Sequence, residues 1–196
     1  MSLLFTCVIN AQSDGQALLW VTPTFATTAP IKKEITVESI FNYHLYTPLK
    51  GHDDVRLVRR KYSSMASAED ALVARMSAVS SVDYQWWLDT WQEDSKQIAL
   101  PFFKQKGFDQ SYWESTWKKQ FVGRKIKLKH KVIYQDYAIL IYNVSEPNGK
   151  ESFFDLPIVF ERDNEQWMVS LDIRKSPLLR YSPWVEGIES KKVVYE

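Results

Sequence analysis

Four helices are predicted in the middle of the chain. The first begins after Ser67, whose hydroxyl can cap a helix start, with Asp70 facing back three residues later. It covers about residues 68–81. Its apolar residues recur at spacings of four and three, which places them on one face of a helix: Leu72, Met76 and Val79.

The second helix has a mostly aromatic surface. A cap at Asp83 opens it, and Trp87 and Trp91 lie four residues apart on one face. Trp86 is adjacent to Trp87, so the two cannot share that face. We therefore expect one member of this pair to be partly exposed.

Two further helices precede a glycine. The third begins at Asp94 or Ser95 and is interrupted by Pro101, which lacks an N–H donor. The fourth begins at Ser111 and stops at Gly123. Its buried stripe is predicted to contain Trp113, Trp117 and Phe121.

After Gly123 the hydrophobic period changes from about 3.6 residues to 2, which indicates strands. The predicted strands form an antiparallel meander with turns at 147–149 and 163–165, and they cover residues 125–132, 136–144, 153–161 and 166–173. The first alternates throughout, with His130 on the same face as Leu128 and Val132 and lysines on the other.

Two more strands, at 33–46 and 55–62, are predicted before the helices as an added hairpin, because both are rich in β-branched and aromatic residues. Residues 1–31 contain one charged side chain, Asp14, and resemble an export signal with cleavage near Ala26 or Ala29. However, no basic residue precedes the apolar run. The alternative is a strand pair turning at Asp14-Gly15, formed by residues 3–9 and 17–25.

Composition narrows the class of function. With 25 Lys and Arg against 24 Asp and Glu, the net charge of +1 gives no field for steering onto nucleic acid, and no apolar run is long enough to span a bilayer. The single Cys7 excludes an internal disulfide framework, and three histidines lack metal-ligand spacing. No glycine-rich phosphate loop or serine nucleophile elbow occurs. We therefore expect no metal and no cofactor.

A resemblance adds to this interpretation. The helices, then a meander ending in "LPIVFERDNEQWMVSLDI", resemble the NTF2-like superfamily, also called the SnoaL-like or ketosteroid-isomerase-like cone, and in particular exported bacterial members. The resemblance covers about residues 65–175. It implies a cystatin-like α+β fold in which a curved antiparallel sheet of four or more strands wraps the helices around a pocket. It also implies a periplasmic or secreted location and a possible homodimer. Fold alone does not fix function.

On this basis the chain divides into four parts. Residues 1–31 are the export-signal-like or extra segment, 32–64 the strand extension, 65–176 the NTF2-like domain and 177–196 a tail.

Candidate ligand-binding residues come from the aromatic and polar positions inside the predicted cone. They are Trp87, Trp91, Trp117, His130, Tyr142 and Trp167. Aromatics at helical spacing are also the usual filling of a core. If His130 and an acid such as Asp155 or Asp172 met in a dry pocket, they could transfer protons while Tyr142 stabilised an oxyanion. No catalytic residue is assigned, because no carboxylate of this chain aligns with the acid-and-tyrosine motif of the ketosteroid-isomerase-like enzymes.

Seven basic residues and no acid occur between Glu114 and Asp136, which predicts a locally positive face. Lysines alternating on the solvent side of a strand also prevent edge pairing, so this face need not bind an anionic polymer. The basic residues are Lys118, Lys119, Arg124, Lys125, Lys127, Lys129 and Lys131.

The predicted function is a non-catalytic accessory domain that binds a small molecule or a protein partner, with an aromatic-lined pocket. One alternative is a cofactor-free isomerase or dehydratase using His130, Tyr142 and an acid. The other is an inhibitor or immunity-type protein. An enzyme would show a polar cluster deep in a roomy pocket, and a binder an aromatic pocket without a proton-transfer pair.

Overall fold

Helices and strands form separate layers in the computed structural model, which describes residues 9–21 and 37–182. The strands are Ile9–Val21 (β1), Val37–Pro48 (β2), Ile126–Tyr134 (β3), Tyr137–Val144 (β4), Asp155–Asp163 (β5) and Gln166–Val169 (β6). The helices are Ala68–Ser80 (α1), Tyr84–Asp89 (α2), Glu93–Gln105 (α3), Gln110–Gln120 (α4) and Pro177–Tyr181 (α5), with a 3-10 turn at Arg60–Tyr62.

The strands form one antiparallel sheet in which each strand pairs with its neighbour along the chain, in the order β1-β2-β3-β4-β5-β6. This confirms the predicted α+β class with an antiparallel sheet. The large hydrophobic core lies between one face of the sheet and α1–α4, and includes Leu72, Leu140 and Phe160. A smaller core lies on the opposite face, where Leu178 of α5 packs near Val132 and Ile139.

The first two helices begin where the sequence predicts. The Ser67 hydroxyl accepts a hydrogen bond from the Asp70 N–H at 3.0 Å, and the Asp83 carboxylate accepts one from the Trp86 N–H at 2.8 Å. Each bond satisfies one of the N–H groups that a helix start leaves without an intrahelical partner. Arg60 forms ion pairs with both Asp83 and Asp89, and so ties the 3-10 turn to α2.

Replacing Asp83 with alanine is expected to lower the free energy of unfolding by about 1 kcal/mol, because α2 loses its cap. In a chain of this size this corresponds to a fall of roughly 2–4 °C in melting temperature. Asp83→Asn is the matched control, since it keeps an acceptor for the Trp86 N–H and removes only an exposed ion pair. Thermal melts in which the two variants lose equal stability would contradict a capping role.

The third and fourth helices differ from their predictions in two details. α3 continues through Pro101, because Pro101 and Gln97, whose carbonyl loses its donor, both lie on the exposed side of the helix. The cap of α4 is Asp109 rather than Ser111, since the Asp109 carboxylate accepts from the Tyr112 N–H at 2.9 Å. Gly123 adopts a φ of +75°, as predicted for the residue that ends this helical region.

Two predictions for the N-terminal part are wrong. β1 runs straight through Asp14-Gly15, because its backbone pairs with β2 along its whole length instead of with itself. Residues 55–62 are not a strand. Asp54, just before this segment, forms a single β-bridge with Lys127. The segment then contacts α1, where the Val58 N–H donates to Ser77 Oγ at 2.9 Å. The partner of β2 in the added hairpin is therefore β1.

Part of the predicted domain division lies outside the described residues. The residues that the structure does not describe are 1–8, 22–36 and 183–196. They include the predicted cleavage points near Ala26 and Ala29 and most of the tail. Cleavage there would remove β1 and leave β2 at the edge of the sheet. Export stays a prediction.

A bulge in β3 changes the faces of its residues. Leu128 pairs with Tyr142, and His130 pairs with Ile141, so one extra residue is inserted at Lys129. Residues paired directly across two strands share a face. The predicted uninterrupted alternation is therefore wrong: Leu128 faces the helices, whereas His130 and Val132 face the other way.

Candidate functional site

A cleft opens at the edge of the sheet where β6 is too short to cover β5. β6 pairs only with Phe160–Asp163, and the Ser170 N–H extends the contact to the Val159 carbonyl at 3.0 Å. The chain then turns away into α5, and among the described residues no strand pairs with that side of β5 from Asp155 to Ile158. The space left has a volume of about 810 Å³.

The lining of the cleft combines an apolar wall with basic groups. Its apolar residues are Trp91, Pro157, Ile158, Val159, Val169, Leu171 and Leu179. Its polar residues are Arg75, Tyr142, Ser170, Arg174, Lys175 and Arg180. In the part of the chain that is described, no carboxylate lines this space, although four basic side chains do. Such a lining suits an apolar molecule that carries a polar or charged group.

Two segments hold the cleft in shape. The end of α2 is fixed to β6, because the Val169 N–H donates to the Thr90 carbonyl at 2.8 Å and the Gln92 N–H donates to the Val169 carbonyl at 3.0 Å. The segment that leaves β6 is fixed to α3, because the Leu171 N–H donates to the buried Ser95 hydroxyl at 2.9 Å. Both walls are therefore anchored to the helical layer.

Arg75 lies at the base of the cleft and is 8% exposed. Its guanidinium carbon is 4.8 Å from the ring centroid of Trp87 and 4.7 Å from that of Trp91. Its Nη1 donates to the buried Thr90 Oγ1 at 2.8 Å. None of the ion pairs of the described residues includes Arg75. The charge is thus held by two aromatic faces and a hydroxyl, without a carboxylate.

Burial changes the pKa values of two neighbouring side chains of the cleft, Arg75 and Tyr142. It lowers the pKa of the Arg75 guanidinium from its ordinary value to about 9, while the nearby Tyr142 acts in the opposite direction. Burial raises the pKa of the Tyr142 phenol above 10.0, and Arg75 opposes that change. At neutral pH the site therefore holds a cation beside a neutral phenol.

The aromatic residues predicted as a pocket are mainly core. Trp87 is buried among five other rings, at centroid distances of 5.3 Å from Trp117, 5.4 Å from Trp91 and 5.5 Å from Trp113. Both Trp86 and Trp87 are buried, so the prediction that one is partly exposed is wrong. Trp86 and Trp87 occupy adjacent buried sides of α2, and its exposed side carries Gln85 and Asp89.

The six predicted ligand-binding residues do not share one site. Trp91 and Tyr142 line the cleft, whereas Trp87 and Trp117 lie in the core behind it. Trp167 packs against the same core from β6 without lining the cleft. His130 forms a hydrogen bond between its Nδ1 and Thr47 Oγ1 at 3.1 Å.

The bulge separates His130 from Tyr142. His130 belongs to the face of Ile141, and Tyr142 belongs to the helix-covered face. A shared proton-transfer site would require both side chains on one face of the sheet. The candidate acids are also elsewhere: Asp155 accepts from Asn143 Nδ2 at 2.7 Å, and Asp172 accepts from the Tyr137 hydroxyl at 3.5 Å.

The lysines of β3 are paired with carboxylates distant in sequence. Lys127 pairs with Asp53 and Glu151, each at 3.1 Å, and Lys131 pairs with Glu69 at 2.7 Å. Hydrogen bonds to Glu151 and then Asp53 raise the pKa of the Lys127 ammonium. Much of the positive charge predicted from this strand is therefore neutralised locally.

Comparison with protein-family models, curated proteins and solved structures finds no match. Among the described residues, none of the helices combines the length and hydropathy needed to cross a bilayer. Within the same residues, no group of three or more His, Cys, Asp or Glu side chains is placed to hold a metal ion.

Sequence reasoning missed Arg75, although a signal was present. Arg75 lies three residues after Leu72 and four before Val79, inside the apolar stripe of α1. A cation at such a position must be buried with partners or reach a cleft. The residues between which it is held, Trp87 and Trp91, were singled out from their own spacing.

Proposed function

We propose that this chain binds a small, mainly apolar molecule in the cleft at the β5 edge and does not transform it. The observation that carries this proposal is the lining itself: an apolar wall containing Trp91 and Ile158 faces convergent polar groups that include Tyr142. Ligand sites commonly combine such a wall with a few polar groups that fix the orientation of the ligand. The volume of about 810 Å³ is ample for a molecule of lipid or drug size.

Binding of N-phenyl-1-naphthylamine, a neutral fluorophore that brightens in apolar surroundings, tests the proposal. The partly buried Leu171 lines the cleft, so Leu171→Trp is expected to fill part of it and weaken binding about tenfold or more. Leu57→Trp is the matched control, because Leu57 is exposed and lies outside the cleft. The fluorescence titration would reject this binding site if both variants bound the probe as the parent does.

An NTF2-like arrangement is part of the same proposal. It is supported by the order of helices followed by an antiparallel meander, by the helical layer on one face of the sheet, and by a cleft at the end of that layer. In that arrangement β1 and β2 are an addition before the helices. Under this proposal the cleft corresponds to the ligand pocket of the superfamily.

A further inference from the structure

Arg75 is a buried cation without an anionic partner. A buried charge is unfavourable unless an opposite charge or several hydrogen bonds compensate it. A guanidinium carries several N–H donors, and that of Arg75 donates to Thr90 Oγ1. Neither an ion pair nor another hydrogen bond to the described residues uses the remaining donors, although the side chain lines the cleft. These donors are therefore available to a ligand.

The polar groups around Arg75 are short of acceptors. Trp91 Nε1 is buried with no hydrogen-bond partner among the described residues. The Tyr142 hydroxyl also has no hydrogen bond to another described residue. Thr90 Oγ1, which accepts from Arg75, itself donates to the Trp87 carbonyl at 2.7 Å. A group that supplies acceptor oxygens at the base of the cleft would accept hydrogen bonds from Arg75 and Tyr142, which both line it.

The rim carries the same sign of charge. Arg174, Lys175 and Arg180 line the cleft nearer to its mouth. Two carboxylates lie close by without lining it: Glu161 accepts from the Ser170 hydroxyl at 3.1 Å, and Asp172 follows in the next turn. Among the described residues, Arg75, Arg174 and Lys175 outnumber these two acids, which favours an anion in the cleft.

We infer that the ligand of the cleft is an amphiphilic anion: its carboxylate or phosphate group binds Arg75, and its apolar part lies against Trp91 and the edge of β5. This inference rests on the proposed function, because it assigns a chemical class to the ligand of the same cleft. Charge-assisted hydrogen bonds from the planar guanidinium to two oxygens suit either head group.

Competition with the bound N-phenyl-1-naphthylamine tests the inference. Decanoate and decyl phosphate are compared with 1-decanol and decyltrimethylammonium, which share the chain and differ in charge. We expect at least one of the anions to displace the probe about tenfold or more better than the alcohol, and the cation to compete worst. The better anion of the pair identifies the head group.

Arg75→Met is expected to remove the preference for the anion over the alcohol, measured as the ratio of their two competition constants against the neutral probe in the same variant. Arg75→Lys keeps a charge and is expected to recover part of the preference. The double variant Arg174→Met/Lys175→Met acts only at the exposed rim. Its effect is expected to be small and to disappear in about 0.5 M NaCl, where exposed charges are screened. The preference due to Arg75 should persist at that salt concentration.

The outcomes separate the two claims. If the probe binds in the cleft but the anions compete no better than 1-decanol, or the preference survives in Arg75→Met, the anion inference is overturned and the proposed function stands. If the probe does not bind, or if Leu171→Trp leaves its binding unchanged, the proposed function and the inference both fail.

Discussion

Arg75→Met is expected to raise the melting temperature of the ligand-free protein. The lowering of the Arg75 pKa from its ordinary value to about 9 corresponds to roughly 5 kcal/mol of unfavourable charge burial. The variant also loses two cation–π contacts and the hydrogen bond to Thr90 Oγ1, which together stabilise the fold by about 3–4 kcal/mol. The expected net gain is about 1–2 kcal/mol, which differential scanning calorimetry would detect as a rise of several degrees.

The difference in stability between Arg75→Met and the parent is expected to decrease as the pH rises. Above about pH 9 the folded chain releases a proton from Arg75 that the unfolded chain still holds, so the contribution of Arg75 to the stability of the parent becomes less unfavourable as the pH rises. Below about pH 9 both states are protonated and the penalty is complete. The advantage of Arg75→Met should therefore shrink by about 1.4 kcal/mol between about pH 7 and pH 10.

Arg59→Met is the matched control for this experiment, because it removes an exposed arginine. It is expected to change stability by less than about 0.5 kcal/mol at either pH. A variant Arg75→Met that melts below the parent, or whose advantage does not change with pH, would show that burial of this charge is not unfavourable.

The helices were predictable because their signals are local. The residues that cap α1 and α2, Ser67 and Asp83, lie next to apolar residues at helical spacing, and both make the expected bonds. The strands from β3 onward were located for the same reason: alternation is visible within a few residues. Periodicity and capping are properties of a short segment, so tertiary contacts were not needed to find these elements.

The errors come from features that depend on contacts with other segments of the chain. Residues 55–62 have the composition of a strand, but the Val58 N–H bonds to Ser77 in α1. The bulge at Lys129 leaves the sequence alternation unchanged, yet it moves His130 to the other face. In both cases the deciding contact is made with another segment of the chain, so the pattern within the segment itself does not show it.

The candidate site was predictable only in part for a related reason. Trp91 and Tyr142 were named from their own patterns, and both line the cleft. The cleft itself exists because β6 ends before it covers β5. Gln166 to Ile173 was predicted as one strand, and alternation gives no sign that pairing stops after Val169. The three basic residues of the rim, Arg174, Lys175 and Arg180, come after the point where β6 ends.

Trp87→Ala is expected to be among the most damaging single substitutions in this chain, because Trp87 connects four helices. From α2 its ring contacts Phe103 of α3 at 6.2 Å and Trp117 of α4 at 5.3 Å, and it covers the guanidinium of Arg75 in α1. Truncation leaves a cavity at that junction, and a buried tryptophan replaced by alanine loses about 3–5 kcal/mol.

Urea unfolding followed by circular dichroism measures this loss, which is about a fifth or more of the stability of a typical domain. The matched control is Phe153→Ala, because Phe153 is 92% exposed and its removal is expected to change stability by less than about 0.5 kcal/mol. Trp87→Phe should lie between the two, since it keeps an aromatic face toward Arg75. If Trp87→Ala unfolded at the same urea concentration as Phe153→Ala, the rings packed around Trp87 would not be the structural centre of the helical layer. The contacts that hold Arg75 would then have to be those with Trp91 and Thr90 alone.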